Sequence, residues 1–146
     1  MKKTLLMLAM GLLLASCSND DEPTGDTPET ELDFSQPSAI VGTWHEAEKL
    51  IDGQWTYTGH QEVIEFTADG KFDYWWGTNQ QYHTSGTYTY ANSTATGTYE
   101  NSVGNKHNVT FKLAPYADSE TTYRRYRVTI TINDETSEYL FRKERE

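Results

Sequence analysis

The sequence predicts an all-β domain, an antiparallel up-and-down barrel of eight strands, or nine with an extra one. Three observations predict it. Residues 124–132 alternate, with Arg124, Tyr126, Val128, Ile130 and Ile132 on one phase and Arg125, Arg127, Thr129 and Thr131 on the other. Period two sustained this long marks a strand with one dry and one wet face. The body is rich in Tyr, Trp, Thr and Val, which suit a half-buried pleated surface. Turn formers recur between the alternating runs, and no stretch of the body keeps a helical period over several turns. A meander this long exposes two hydrogen-bonding edges, and closing it into a barrel removes both. A two-sheet sandwich fits the same alternation less economically.

The first element is a leader. Met1-Lys2-Lys3-Thr4 precedes an almost wholly apolar run from Leu5 to Ala15. Two lysines, a short apolar core and a small-residue exit are the layout of a secretory signal. The run is about half of the roughly 20 residues that a spanning helix needs. Leu14-Ala15-Ser16-Cys17 resembles the bacterial lipobox. The resemblance implies a lipoprotein signal peptide over 1–16, cleavage before Cys17, a lipid on its sulfur and acylation of the new amino terminus. Several acyl chains anchor a protein stably where one does so only marginally. Cys17 is the only cysteine, so the folded body depends on no disulfide and no thiolate metal site.

Residues 17–33 hold the lipidated Cys17 and an acidic, Pro- and Thr-containing segment with no basic residue, read as a flexible tether. Acids directly after the lipobox cysteine also resemble the surface-export signal of Bacteroidota lipoproteins. That resemblance implies an outer-membrane lipoprotein whose body faces the outside of the cell. The alternative is a solvating linker on the periplasmic side. The domain proper is then 34–146.

Strands are expected at 41–50, at 54–58 running on or joined to 61–67, and at 70–76, 83–91, 95–100, 106–113, 121–132 and 136–143. Besides 124–132, five of them show alternation on one phase: Ile64 and Phe66; Phe72, Tyr74 and Trp76; Tyr88 and Tyr90; Val109, Phe111 and Leu113; Tyr139 and Phe141. Asp52-Gly53, Asp69-Gly70, Ala91-Asn92-Ser93, Gly104-Asn105, Asp118-Ser119 and Asn133-Asp134-Glu135 separate them, and such pairs readily take the positive φ of tight hairpins. Pro37-Ser38-Ala39 suits one short helical turn. Eight strands make a barrel just wide enough to pack side chains or hold one small ligand.

Gly42-Thr43-Trp44 at the start, "EFTADGKFDYW" (65–75), "SGTYTY" (85–90) and Tyr139-Leu140-Phe141-Arg142 at the end together resemble the lipocalin-like domains of small Bacteroidota lipoproteins, over about 38–143. The resemblance implies a calycin-type barrel. It places Gly42 and Trp44 at the closed end, with Arg142 from the last strand packed over the indole. A central motif with an acidic turn is not evident. Fold carries over on such grounds better than function does.

Without the leader's two lysines and the tether's seven acids, the body still carries five more acids than bases. That balance argues against a nucleic-acid partner, which needs a concentrated basic surface. His45, His60, His83 and His107 are scattered without a zinc-binding spacing, so no metal and no cofactor are expected. No Gly-x-Ser-x-Gly elbow occurs, and carboxylate pairs such as Glu46 and Glu48 are indistinguishable from surface acids, so the chain is read as non-enzymatic.

Tyr74, Trp76, Tyr88, Tyr90, Phe111 and Tyr126 share the inward phase and are the candidate walls of a pocket for a small apolar or amphipathic ligand. Arg124, Glu46, Glu48 and Glu62 share it too. They either orient a polar ligand group at the mouth, with Arg124 binding a carboxylate or sulfate, or lie at strand ends in water. Trp75 points the other way and is the candidate surface contact for a glycan or protein, unless the tether or a loop covers it.

Overall fold

The computed structural model describes residues 31–59, 61–117 and 124–145. The leader, Cys17, the tether up to residue 30, the expected Asp118-Ser119 turn and the start of the expected 121–132 strand lie outside the described residues.

The strands are β1 (Gly42–Ile51), β2 (Gln54–Thr56), β3 (Val63–Phe66), β4 (Lys71–Trp76), β5 (Tyr82–Ala91), β6 (Thr94–Glu100), β7 (Lys106–Pro115), β8 (Tyr126–Ile132) and β9 (Glu135–Lys143). The order is β2-β1-β3-β4-β5-β6-β7-β8-β9, and β9 pairs back onto β1. The result is a closed, antiparallel, up-and-down barrel of eight strands, with β2 as an extra strand folded onto the end of β1. This is the expected fold class, and it is consistent with a lipocalin-like barrel. The hairpins are tight: Asn92 and Ser93, and again Asn133 and Asp134, all take positive φ, the geometry whose twist matches the strands it joins.

The phases read from sequence fix the inside. Trp44, Phe66, Phe72, Phe111 and Phe141 are almost fully buried. Phe111 meets Phe66 and Phe72 edge to face, with ring centroids 5.3 Å apart in both pairs. The wall leaves room for this cluster at Gly86, where a Cβ would stand 2.2 Å from the Thr98 carbonyl oxygen and 2.6 Å from the Phe72 ring. The middle of the barrel is therefore filled with side chains.

The two ends differ. One is stoppered by the chain entering β1: a short 3-10 turn, Pro37–Ala39, follows Phe34, and Phe34, Ala39 and Ile40 are buried. The Phe34 ring lies 5.4 Å from Tyr126 and 6.3 Å from Trp44. Its carbonyl accepts hydrogen bonds from Tyr90 (2.8 Å) and Ser93 (3.3 Å), while the Trp44 indole N–H donates to the Ile40 carbonyl at 2.8 Å. The opposite end is bounded by the β1–β2 hairpin, the 77–81 loop and the β6–β7 and β8–β9 turns, and it is open.

Candidate functional site

The open mouth has a polar floor. The Glu62 carboxylate accepts a hydrogen bond from each of two buried phenols, Tyr139 at 2.9 Å and Tyr74 at a shorter distance. Burial is the chief cause that raises both phenols well above the usual tyrosine range, and the Glu62 charge adds to it. They remain donors throughout the ordinary pH range. Glu46 lies beside Glu62: its carboxylate accepts from the Glu62 backbone N–H at 3.0 Å and from the Thr58 hydroxyl at 3.2 Å. Burial raises the Glu46 carboxyl above its ordinary value, with a contribution from the neighbouring Glu62 charge. Lys49 completes the rim, its ammonium 5.0 Å above the Tyr139 ring.

Over this floor is a cavity of about 280 Å³, lined by Glu46, Lys49, Thr58, Glu62, Trp76 and the 77–81 loop. Tyr74, Trp76 and Tyr82 form a ladder of stacked rings from the floor to the rim, with centroids 5.1 and 5.7 Å apart. Sequence alone put Glu46 and Glu62 on the inward phase. That Glu62 ties two phenols together comes from the fold, because Tyr139 lies 77 residues away.

Glu48 does not join them. A β-bulge between Glu46 and Glu48 shifts the register, so that Glu46 faces Phe141 and Glu48 faces the outward-pointing Leu140. Glu48 turns to the outer wall, where it pairs with Arg125 at 2.7 Å.

The other candidate walls separate. Tyr74 and Trp76 stand at the mouth. Phe111 belongs to the filled middle. Tyr88, Tyr90 and Tyr126 lie toward the closed end: the Tyr88 hydroxyl donates to the Thr67 carbonyl at 2.8 Å, Tyr90 to Phe34, and Tyr126 packs on Phe34 and Trp44. Arg124 precedes β8 at that same end, exposed at its surface and 3.5 Å from Glu31, away from the mouth.

At the closed end Gly42 and Trp44 open β1, with Trp44 fully buried, and the cation over the indole is Lys143, not Arg142. Its ammonium lies 5.9 Å from the Trp44 ring and 3.2 Å from the Ala39 carbonyl oxygen, which accepts its hydrogen bond. Its stem crosses Gly42, where a Cβ would stand 3.0 Å from Cε. Arg142, the expected residue, is exposed on the outer face opposite His45. Period two decides this: Phe141 points in, so Arg142 points out and Lys143 returns.

Trp75 lies on the outer wall, half-buried, stacked on His83 at 4.7 Å with the planes 12° apart. Beside it Asp73, His83 and Ser85 cluster. Asp73 Oδ1 accepts from the Ser85 hydroxyl at 2.5 Å and lies 2.8 Å from His83 Nε2. The Ser85 bond, then His83, holds the Asp73 carboxyl below its ordinary value. A relay that activates serine needs the carboxylate and the hydroxyl on opposite nitrogens of the imidazole. Here Nε2 faces both, with Ser85 Oγ at 3.3 Å, so the trio is a surface hydrogen-bond cluster. Among the described residues no group of three or more His, Cys, Asp and Glu is placed to hold a metal ion, and no helix is long and apolar enough to cross a membrane. No protein-family model matches the chain, and neither a curated protein nor a solved structure matches it.

Proposed function

We propose that this is a non-enzymatic, lipid-anchored lipocalin-like protein of the outer membrane that binds a small amphipathic molecule at the open mouth of its barrel. The observation that carries the reading is the asymmetry of the two ends. At one end the chain's own Phe34–Ile40 segment seals the interior, leaving a cleft of about 550 Å³ only on its outside, and at the other a cavity of about 280 Å³ reaches the inward Glu46 and Glu62. The filled middle restricts a ligand to that shallow site. Its apolar part would lie against Trp76, and a head group bearing hydrogen-bond donors would meet the two carboxyls. Lipid attachment at Cys17 and display on the cell surface rest on the lipobox-like and acidic segments of the sequence.

Native mass spectrometry of the protein purified from its own host is the test. The expected result is a co-purifying small molecule that is lost in Trp76→Ala and weakened in Glu62→Gln. Repeated bare masses, with tryptophan fluorescence unmoved by long-chain alkyl amines and aromatic amines, refute the mouth. A Cys17→Ser variant is expected in the soluble fraction, and its retention in the membrane refutes the anchor.

The second reading, contact with a glycan or protein through Trp75, is favoured by the outward position of that ring. His83 stacks on the indole and holds it in place. Loss of cell-surface or glycan-array binding in Trp75→Ala is the expected result for that reading.

A further inference from the structure

Beside the mouth, across the Trp76 wall, lies a wider cleft of about 800 Å³, within the range of roughly 300–1,000 Å³ typical of ligand sites. It has a simple topological origin. Strand β5 pairs with β4 as far as Trp76↔Tyr82, but pairs with β6 only as far as Gly86↔Tyr99. Residues 82–85 therefore have no strand neighbour on the β6 side, and the barrel wall opens between them and the β6–β7 turn.

Two flat rings border the gap, and each is backed by another ring. Tyr82 is 53% exposed yet held in place: it stacks on Trp76 at 5.7 Å, and its ring crosses Gly77 so closely that a Cβ there would stand 2.8 Å from Cδ2. Tyr99 stacks on His107 at 5.1 Å with the planes 19° apart. Both His107 nitrogens are engaged by amide side chains, Asn101 at 3.0 Å and Asn133 at 2.5 Å, which fixes the imidazole behind Tyr99. Tyr82, exposed and already held, and Tyr99, part-buried against the core, both lose little entropy when a ligand stacks on them.

Between the rings the lining is mostly hydroxyl and amide, from Gln81, Thr84, Ser85, Asn101 and Ser102, with the His83 imidazole, which Asp73 already pairs, and one carboxylate, Glu100; among the described residues no lysine or arginine lines it. A hydrocarbon laid here would desolvate those groups without pairing them. An anion would meet the Glu100 carboxylate, and the His83 imidazole is already paired with Asp73. A sugar fits both features: its C–H face packs on a flat ring, and its hydroxyls, which donate and accept, match side chains that do the same.

We infer that the cleft between residues 82–85 and the β6–β7 turn is a binding site for a neutral oligosaccharide, with Tyr82 and Tyr99 as its stacking platforms. This goes beyond the mouth reading and uses rings other than Trp75. The test is the full chain, held in a non-glycosidic detergent, on an array of neutral gluco-, manno-, galacto- and xylo-oligosaccharides. Calorimetry with the best binder then compares variants. Tyr82→Ala and Tyr99→Ala are each expected to weaken binding at least tenfold, while Tyr82→Phe keeps it and the mouth variant Glu62→Gln stays within twofold. Because Tyr82 is mostly exposed, Tyr82→Ala carries the test even if Tyr99→Ala does not fold. The inference is overturned if no neutral glycan binds, if charged glycans or extended peptides bind better, if Tyr82→Ala binds as wild type, or if Glu62→Gln alone abolishes binding. The last outcome would move the sugar to the mouth; the others leave the mouth reading standing.

Discussion

Glu62→Ala is the most informative single change, because one carboxylate serves two phenols that are each 4% exposed. A hydrogen bond to a charged acceptor contributes about 1.5–3 kcal/mol, and a buried donor left without one costs about 1–3 kcal/mol. Two such donors lose their acceptor at once. Two effects offset the loss. The Glu62 charge no longer opposes ionisation of Glu46, and the adjoining 280 Å³ cavity admits water to at least one hydroxyl. The net expectation is a destabilisation of about 2–4 kcal/mol. With a urea m-value of about 1–3 kcal/mol/M, the midpoint should fall by roughly 0.7–4 M. Glu62→Gln keeps an oxygen for one phenol and offers N–H to the other, so it should cost less than half as much. In a Tyr74→Phe background one donor is already gone, and Glu62→Ala should cost about 1–2 kcal/mol less than in wild type. A single-variant cost under about 0.5 kcal/mol, or strict additivity with Tyr74→Phe, would refute the account of Glu62 as the shared acceptor.

Burial raises the folded-state value of Glu46 above its unfolded 4.5, so the proton is held more tightly in the fold. The stability it contributes is present below that unfolded value and is lost as pH rises through the folded one. Glu46→Gln should therefore improve relative to wild type between pH 4 and pH 7 in urea midpoints, and the opposite trend counts against burial as the cause. Gly86→Ala forces a Cβ to within 2.2 Å of a backbone oxygen, and should cost on the order of 3 kcal/mol by overpacking; thermal melting checks it, and a native-like midpoint would show that the wall can give. Lys143→Met removes the cation over Trp44 and should cost about 0.5–2 kcal/mol, with Arg142→Met costing less; the reverse order in melting temperature would restore Arg142 to the indole.

The fold was legible because each of its determinants is local. The alternation of β4, β7 and β8 identifies their dry faces, and Asn92-Ser93 and Asn133-Asp134 name two of the hairpins outright. What sequence could not supply was pairing at long range. Glu62 and Tyr139 meet only because β9 closes on β1, a contact that no local period encodes. The bulge that turns Glu48 outward was hidden for a related reason: one extra residue in a strand reverses every phase beyond it while leaving composition unchanged. Arg142 and Lys143 show how fine the distinction is, since two cations side by side differ only in which face each takes.

Height in the barrel was a different matter, because there the information was present in the sequence. The inward phase of β5 runs from Tyr82 at the mouth through Thr84, Gly86 and Tyr88 to Tyr90 at the stopper, eight residues or roughly 26 Å of strand. Residues chosen by phase alone therefore sample both ends of the molecule, and Tyr74 and Trp76 became grouped with Tyr88, Tyr90 and Tyr126. Yet in an up-and-down meander successive turns must fall at alternating ends. The 69–70 and 92–93 turns share an end with the chain entering β1, while the 77–81 loop and the 101–105 and 133–134 turns share the other. Counting turns from Trp44, the marker of the sealed end, assigns each inward residue a level as well as a face. That count separates the phenols and indole open to a ligand from those that hold the stopper. It also places the polar 78–81 and 101–102 segments, rich in amides and hydroxyls, around a single opening. The clustering of groups that donate and accept at one end, against an aromatic seal at the other, is the physical basis for looking for a ligand at the mouth and its adjoining cleft.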